Sequence, residues 1–231
     1  MIKGNGMLAK AFASYKDQEN ILIFAQGVSN SQEKDEDNFK RESNILQTVL
    51  NDNKGKTVVY FGTCSVDDPE SKNTPYVVHK LNMERLVQNS GQNYYIFRLP
   101  QVVGKTTSPT LINFIATQIK TGKTFDIWKK SGRNLIDVDD VYKIVDYIIS
   151  KNLEKNTILN IASMHTYEIL EIVKNIENIL NIKAIYNTID KGGYYKINTC
   201  IVDKYLSAVG VEFDSNYLIK LLMKYVKDDN K

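Results

Sequence analysis

Four short stretches of this chain, residues 21–26, 57–62, 94–99 and 157–161, are apolar at nearly every position instead of at every second one. A strand with one wet face alternates. A strand that is apolar throughout has both faces covered, as in a parallel sheet held between two layers of helices. The intervals carry helical periodicity, at about 7–15, 38–50, 76–89, 109–121 and, after Asp137, 138–150. Strands and helices in alternation predict βαβ units and an α/β fold, a doubly wound parallel sheet. After Ile161 the pattern changes to a helix near 166–180, a strand near 183–188, a Gly192-Gly193 turn and two final helical stretches. This predicts a main domain over 1–162 and a small C-terminal α+β lobe over 163–231, with lobe segments interleaved near 100–136. With 231 residues, 42% of them hydrophobic, the chain can bury one substantial core. The charged stretch 33–37 reads as a loop, and the tail 228–231 is expected to fray.

The second apolar run ends in a hydroxyl, Thr63, and is followed after a polar loop by Tyr76-x-x-x-Lys80 at the opening of a helix. At i,i+4 the two side chains share one helix face. An ammonium placed there is expected to favour ionisation of a phenol whose ordinary pKa is about 10. With Thr63 facing the same point, the group can pass a proton to or from a carbonyl or alcohol oxygen. The spacing alone is weak, because 14 Tyr in a Lys-rich chain give one or two such pairs by chance. The other pair, Tyr147 and Lys151, sits late in a helical run with no hydroxyl-tipped strand before it and reads as structural.

Charge and cysteine content narrow the class. Thirty basic residues against 27 acidic ones, spread throughout, give a net charge of +3 and no argument for nucleic acid. Cys64 and Cys200 are far apart without metal-ligand spacing, which suits a reduced cytoplasmic chain and no metal. No apolar run reaches membrane-spanning length.

The opening residues Gly4-Asn5-Gly6-Met7-Leu8-Ala9 precede an amphipathic stretch and read either as a dinucleotide-type phosphate loop or as a plain tight turn. The leading strand is only two or three residues long. The acidic residue expected about 20 positions on is absent, since 20–32 holds no Asp or Glu.

Taken together these residues resemble the extended short-chain dehydrogenase/reductases that modify nucleotide sugars, the NAD-dependent epimerase/dehydratase group. The glycine loop is closest in style to that of the dTDP-4-dehydrorhamnose reductases. The strand closing in Ala25-Gln26-Gly27 is similar to the one that ends near the nicotinamide ribose, and Asn44 matches an Asn that supports the active site. Arg98-Leu99-Pro100-Gln101-Val102-Val103-Gly104 is similar to an Arg-x-x-Asn-x-x-Gly motif, with Gln101 in place of Asn. Arg133-Asn134-Leu135-Ile136-Asp137-Val138-Asp139-Asp140 resembles a segment whose Arg contacts the nucleotide diphosphate. The resemblance implies Thr63, Tyr76 and Lys80 as catalytic residues. It implies Gly4, Gly6, Met7, Leu8, Ala25 and Lys80 against NAD or NADP, and Ser65, Arg98, Gln101 and Arg133 against a nucleotide-sugar substrate. It also implies a homodimer through the helices at 38–50 and 76–89.

The departures shape the functional expectation. Only 14 residues separate Gly6 from Ile21, whereas a βαβ unit takes about 30, so the Rossmann-like sheet lacks two strands of its first half. Cys64-Ser65 stands where the group's 4,6-dehydratases carry Asp-Glu. Ser65 also replaces the Cys of the GDP-fucose synthase epimerising pair, and no His lies between Arg98 and Arg133. Three readings stay open: reduction of a nucleotide-linked keto-deoxysugar for surface polysaccharide precursors, epimerisation with retained NAD, and a non-catalytic reductase-like binding module. Blander roles stand beside the sharp ones. Thr63 also reads as a strand-end hydroxyl, Arg98 as a structural partner of carboxylates, and Cys64 as a small buried residue. His79 is expected to point away from the active face and His165 to lie at the surface, and Phe125 and Trp128 read as lobe core or as a base-stacking wall.

Overall fold

Five strands lie side by side and run parallel: β1 (Ile2–Lys3), β2 (Ile21–Phe24), β3 (Thr57–Thr63), β4 (Tyr94–Leu99) and β8 (Thr157–Asn160). They are seen in a computed structural model that describes residues 1–227, so the tail at 228–231 lies outside the described residues. Successive side chains point to opposite faces. Leu22, Phe24, Val58, Tyr60 and Ile96 pack on one side against Leu46, Val49 and Leu50 of α2 (Glu36–Asp52) and Met83 and Val87 of α3 (Pro75–Gln88). Ile23, Val59, Phe61, Tyr95 and Phe97 pack on the other, against Phe12 and Tyr15 just beyond α1 (Met7–Ala11) and the apolar face of α5 (Val138–Ser150). Each such side chain, taken fully out of water, contributes about 1.5–3 kcal/mol. This two-sided burial is why the strands read as unbroken apolar runs.

The helix starts are written locally. Asp35 accepts the Asp37 N–H at the start of α2, Thr74 accepts the Val77 N–H at the start of α3, and Pro75 fills the first turn where no N–H is needed. The helix expected at 7–15 is a five-residue α-helix and a separate 3-10 turn at Ala13–Tyr15.

The remaining strands are β5 (Gln101–Val103), β6 (Phe125–Trp128), β7 (Gly132–Asp137), β9 (Thr166–Glu168) and β10 (Tyr186–Ile189). Strand β7 lies between parallel β5 and antiparallel β9, while β6 pairs with β10. The chain's last third is thereby stitched to residues 101–137. The helix expected from 166 begins only at Ile169, as α6 (Ile169–Leu180), because Thr166–Glu168 is drawn into the ladder with β7. Around this ladder lie α4 (Leu111–Thr121), α7 (Leu206–Val209) and α8 (Tyr217–Val226). Buried Asp137 anchors α8 to the start of α5. It caps α5 through the Asp139 N–H and accepts hydrogen bonds from Lys224 Nζ and Tyr225 Oη, both at 2.7 Å.

Candidate active site

All five sheet strands end on one edge, and the predicted site residues gather there, as ligand sites in open α/β sheets do. Gly4 follows β1, Ala25 follows β2, and Thr63 closes β3 beside Leu99 of β4. Gly4 has φ +130°, and a Cβ there would run into the Ala25 carbonyl. Only glycine lets β1 leave the sheet that close to β2. Met7 and Val138 both lie over Gly104, where a Cβ would run into them, and Leu8 lies against the core.

Thr63 is buried, accepts the Ser65 N–H at 3.1 Å, and its side chain lies close enough to the Tyr76 hydroxyl to favour the ionised phenol. Tyr76 is the second residue of α3, and Lys80 follows one turn on with its Nζ 5.8 Å from the centre of the Tyr76 ring. Both side chains are buried. The Lys80 ammonium is held by a carboxylate: its Nζ donates to Glu42 Oε1 of α2 at 3.0 Å. The second oxygen, Glu42 Oε2, accepts the Val28 N–H at 2.7 Å and meets His79 Nε2 at 3.0 Å. Burial works against the ionised form of Glu42, yet the bonds from His79, Lys80 and Val28 hold its pKa below the ordinary carboxylate value.

This arrangement corrects three expectations. The Tyr76 pKa is not lowered by Lys80. Burial pushes it up to about 12, Thr63 opposes that in part, and the Glu42 charge adds to it. Asn44 does not support the site, because it lies on the exposed side of α2, two residues from the Glu42 that does reach it. His79 does not turn away; it is buried, stacks on Phe39 with ring centres 4.6 Å apart, and shares its carboxylate with Lys80.

Arg98 is corrected as a ligand contact. Its Nε and Nη2 donate to Glu84 Oε1 and Oε2 of α3 at 2.9 and 2.7 Å, a bidentate pair whose carboxylate side chain is only 2% exposed. Ser65 sits in the 3-10 turn after Thr63, with Tyr195, a residue no motif had singled out, beside it. Tyr195 comes from the segment after β10, packs on Cys64 and Ala162, and has Arg133 nearby. Arg133 is half-buried on β7 and donates to the Gly132 carbonyl at 2.8 Å, while Gln101 is exposed on β5. Buried Cys64 donates its thiol to the Arg98 carbonyl at 3.3 Å, and burial pushes its pKa up, against any nucleophilic role. Tyr147 of α5, from the second Tyr-x-x-x-Lys pair, meets the ring of Tyr205. His165 is exposed and meets the Phe213 carbonyl at 2.9 Å; Phe125 is buried, and Trp128 is 45% exposed.

A doubly wound sheet with a hydroxyl, a phenol and an ammonium collected at its carboxyl edge defines a dinucleotide-dependent dehydrogenase/reductase architecture. The chain belongs to the NAD dependent epimerase/dehydratase family, whose sequence model matches residues 4–162. It is therefore an enzyme of an NAD-dependent class. Among solved structures it is similar to RMD from Pseudomonas aeruginosa complexed with NADPH, at 15% identity and TM-score 0.77, over 98% of this chain and 97% of that one. It is similar to the Bordetella bronchiseptica enzyme WbmH in complex with NAD+, at 16% identity and TM-score 0.70, over 96% and 79%. A third is UDP-N-acetylglucosamine 4-epimerase from Methanobrevibacter ruminantium M1 in complex with UDP-N-acetylmuramic acid, at 18% identity and TM-score 0.71, over 94% and 78%. No curated protein matches the sequence.

The residues fit one half of the cofactor well. Gly6 begins α1 with open space where a Cβ would stand, so a diphosphate can approach the backbone of the Gly4–Gly6 loop. The adenosine half has less to meet, because β1 is the sheet's edge among the described residues and nothing pairs with its outer side.

Proposed function

We propose that this enzyme reduces a nucleotide-linked keto-deoxysugar in the supply of surface polysaccharide precursors, and that it works as a cytoplasmic homodimer. The observation that carries this reading is the buried Tyr76 phenol beside Thr63 at the sheet's carboxyl edge, one turn from Lys80. When bound, the nicotinamide supplies a hydride to a carbonyl carbon. Tyr76 gives its hydroxyl proton to the carbonyl oxygen, and the Thr63 hydroxyl stabilises the charge that develops on the phenol oxygen and its partner. The diphosphate is assigned to Gly4 and Gly6 with Met7 and Leu8 beneath it, and the nicotinamide ribose to Ala25 and Lys80. The sugar nucleotide is assigned to Ser65, Gln101 and Arg133, with Tyr195 added by its place beside Ser65 and Arg133.

Epimerisation with a retained cofactor uses the same three residues, and the similar structures include both a complex with NADPH and a named epimerase. The absence of Asp-Glu after Thr63 speaks against dehydration. The two remaining reactions separate by product. The protein is incubated with NADH or NADPH and a panel of UDP-, GDP-, CDP- and dTDP-linked sugars and their 4-keto-6-deoxy forms. Stoichiometric loss of reduced nicotinamide with one keto sugar is the expected result. Interconversion of two epimers with no net change in nicotinamide overturns it in favour of epimerisation.

A further inference from the structure

Beside the turn that follows β2 lies a cavity of about 290 Å³ that the reaction leaves unused. Gln26 and Val28 of the turn line one side, and Asn38, Arg41 and Ile45 of α2 the other. Arg85, Arg98 and Arg133 each donate to an oxygen, whereas exposed Arg41 has no hydrogen bond or ion pair among the described residues. Its guanidinium holds nothing within the fold and is available to a ligand.

The position of the cavity follows from the turn of the helix. Phe39 stacks on His79 and Ser43 Oγ meets Met83 Sδ at 3.4 Å, so residues 39 and 43 face α3. Residue 41 lies two positions from each, which is halfway round an α-helix. Arg41, with Ile45 one turn on, therefore looks away from α3, toward the side of the sheet where only β1 follows β2. The Gly4 turn lies against the Ala25 carbonyl and the Gln26 nitrogen, so the loop assigned to the diphosphate abuts the cavity wall. A dinucleotide on that loop with its nicotinamide at Tyr76 sends its other nucleoside to this open side.

The lining selects a chemistry. Half-buried Val28 and Ile45 offer apolar surface to a flat ring. Asn38 spends its amide N–H groups on Glu33 Oε2 and Asp35 Oδ2, at 3.1 and 3.3 Å, which leaves its oxygen to accept from an exocyclic amino group. The buried Glu42 carboxylate also lines the cavity, and a fixed negative charge there favours a neutral base over a phosphate.

We propose that this cavity takes the adenine base of the cofactor, with the Arg41 guanidinium against its face, in place of the strands that the shortened sheet lacks. The inference rests on the reading of the Gly4–Gly6 loop as the diphosphate site of a nicotinamide cofactor.

The test is binding of NADH without substrate, followed by saturation-transfer NMR and calorimetry. In the native protein the adenine H2 and H8 protons are expected to receive saturation as the nicotinamide protons do. In Arg41→Gln the adenine signals should fall relative to the nicotinamide ones, and the Kd should rise about two- to five-fold, the worth of one exposed cation–π contact. Saturation of the nicotinamide alone in the native protein overturns the proposal and leaves the cofactor reading standing. An unchanged adenine-to-nicotinamide ratio in a folded Arg41→Gln does the same, since a mere loss of charge weakens both ends together. No saturation of either ring overturns both readings. Should Arg41→Gln not fold, the native adenine signal alone decides.

Discussion

Arg98 and Glu84 form a pair whose worth depends on both members staying. The carboxylate is almost wholly buried and takes two parallel N–H bonds, and Gly62 on β3 leaves the space in which it lies, since a Cβ there would press on Glu84 Oε1. Removing one partner of such a pair strands a buried charge at about 3–5 kcal/mol, while replacing both by apolar groups is close to neutral. Arg98→Met should therefore lower the Tm by on the order of ten degrees in a chain of this length, and Arg98→Met with Glu84→Leu should recover most of the loss in a thermal melt. A double variant as unstable as the single one would contradict the structural role. Glu42 and Glu84 were both readable in hindsight. Glu42 shares a helix face with Leu46, Val49 and Leu50, and Glu84 shares one with Lys80, Met83 and Val87. A carboxylate on the buried stripe of an amphipathic helix signals a partner, because an unpaired charge is not carried into a core. What no pattern in the chain reveals is which cation answers it, since Lys80 and Arg98 lie 38 and 14 residues away.

At the scale of elements, the chain's strands and helices were legible wherever burial was two-sided or a cap was written locally, as in β2, β3, β4, α3 and α5. The short strands β5, β6, β7 and β9 were not. Three to six residues long and half-polar, they exist because a distant segment completes their ladders. The same partnership shortens α6 at its start. The candidate site followed this division. Thr63, Tyr76 and Lys80 stand on two strongly patterned elements and were found from spacing, whereas Tyr195 arrives on an irregular segment after β10 and was missed. The turn after β2 offers a direct test of the fit between elements. Gly27 and Gly55 both hold positive φ, but a Cβ on Gly27 meets the Glu42 carboxylate while one on Gly55 meets nothing within 4 Å. Gly55→Ala should cost about 1 kcal/mol from backbone strain alone. Gly27→Ala should cost more, about 2 kcal/mol or above, by adding displacement of a held carboxylate. Equal losses in denaturant unfolding would mean that α2 and the β2 turn yield freely.

For the whole molecule, the truncated sheet sets the cofactor's grip. The glycine loop and Lys80 remain, but no strand lies outside β1 among the described residues, and the acidic residue that would bind the adenosine ribose is missing. A hydrogen bond to a charged group is worth about 1.5–3 kcal/mol, so its absence removes roughly one to two decades of affinity. Calorimetry should show weak binding with little preference between NADH and NADPH; sub-micromolar binding with strong selectivity would contradict this. The proposed homodimer through α2 and α3, where Val78 is 45% exposed, is checked by sedimentation equilibrium, and a 26.4 kDa species at micromolar concentration would contradict it. The central claim is that one phenol moves the proton at this edge of the sheet. The direct measurement is reduced-nicotinamide consumption with the active keto sugar by Tyr76→Phe, its fold confirmed by circular dichroism and its cofactor affinity by calorimetry. Turnover is expected to fall by about 10²–10⁴-fold with cofactor affinity unchanged, and full turnover by that variant would contradict the account.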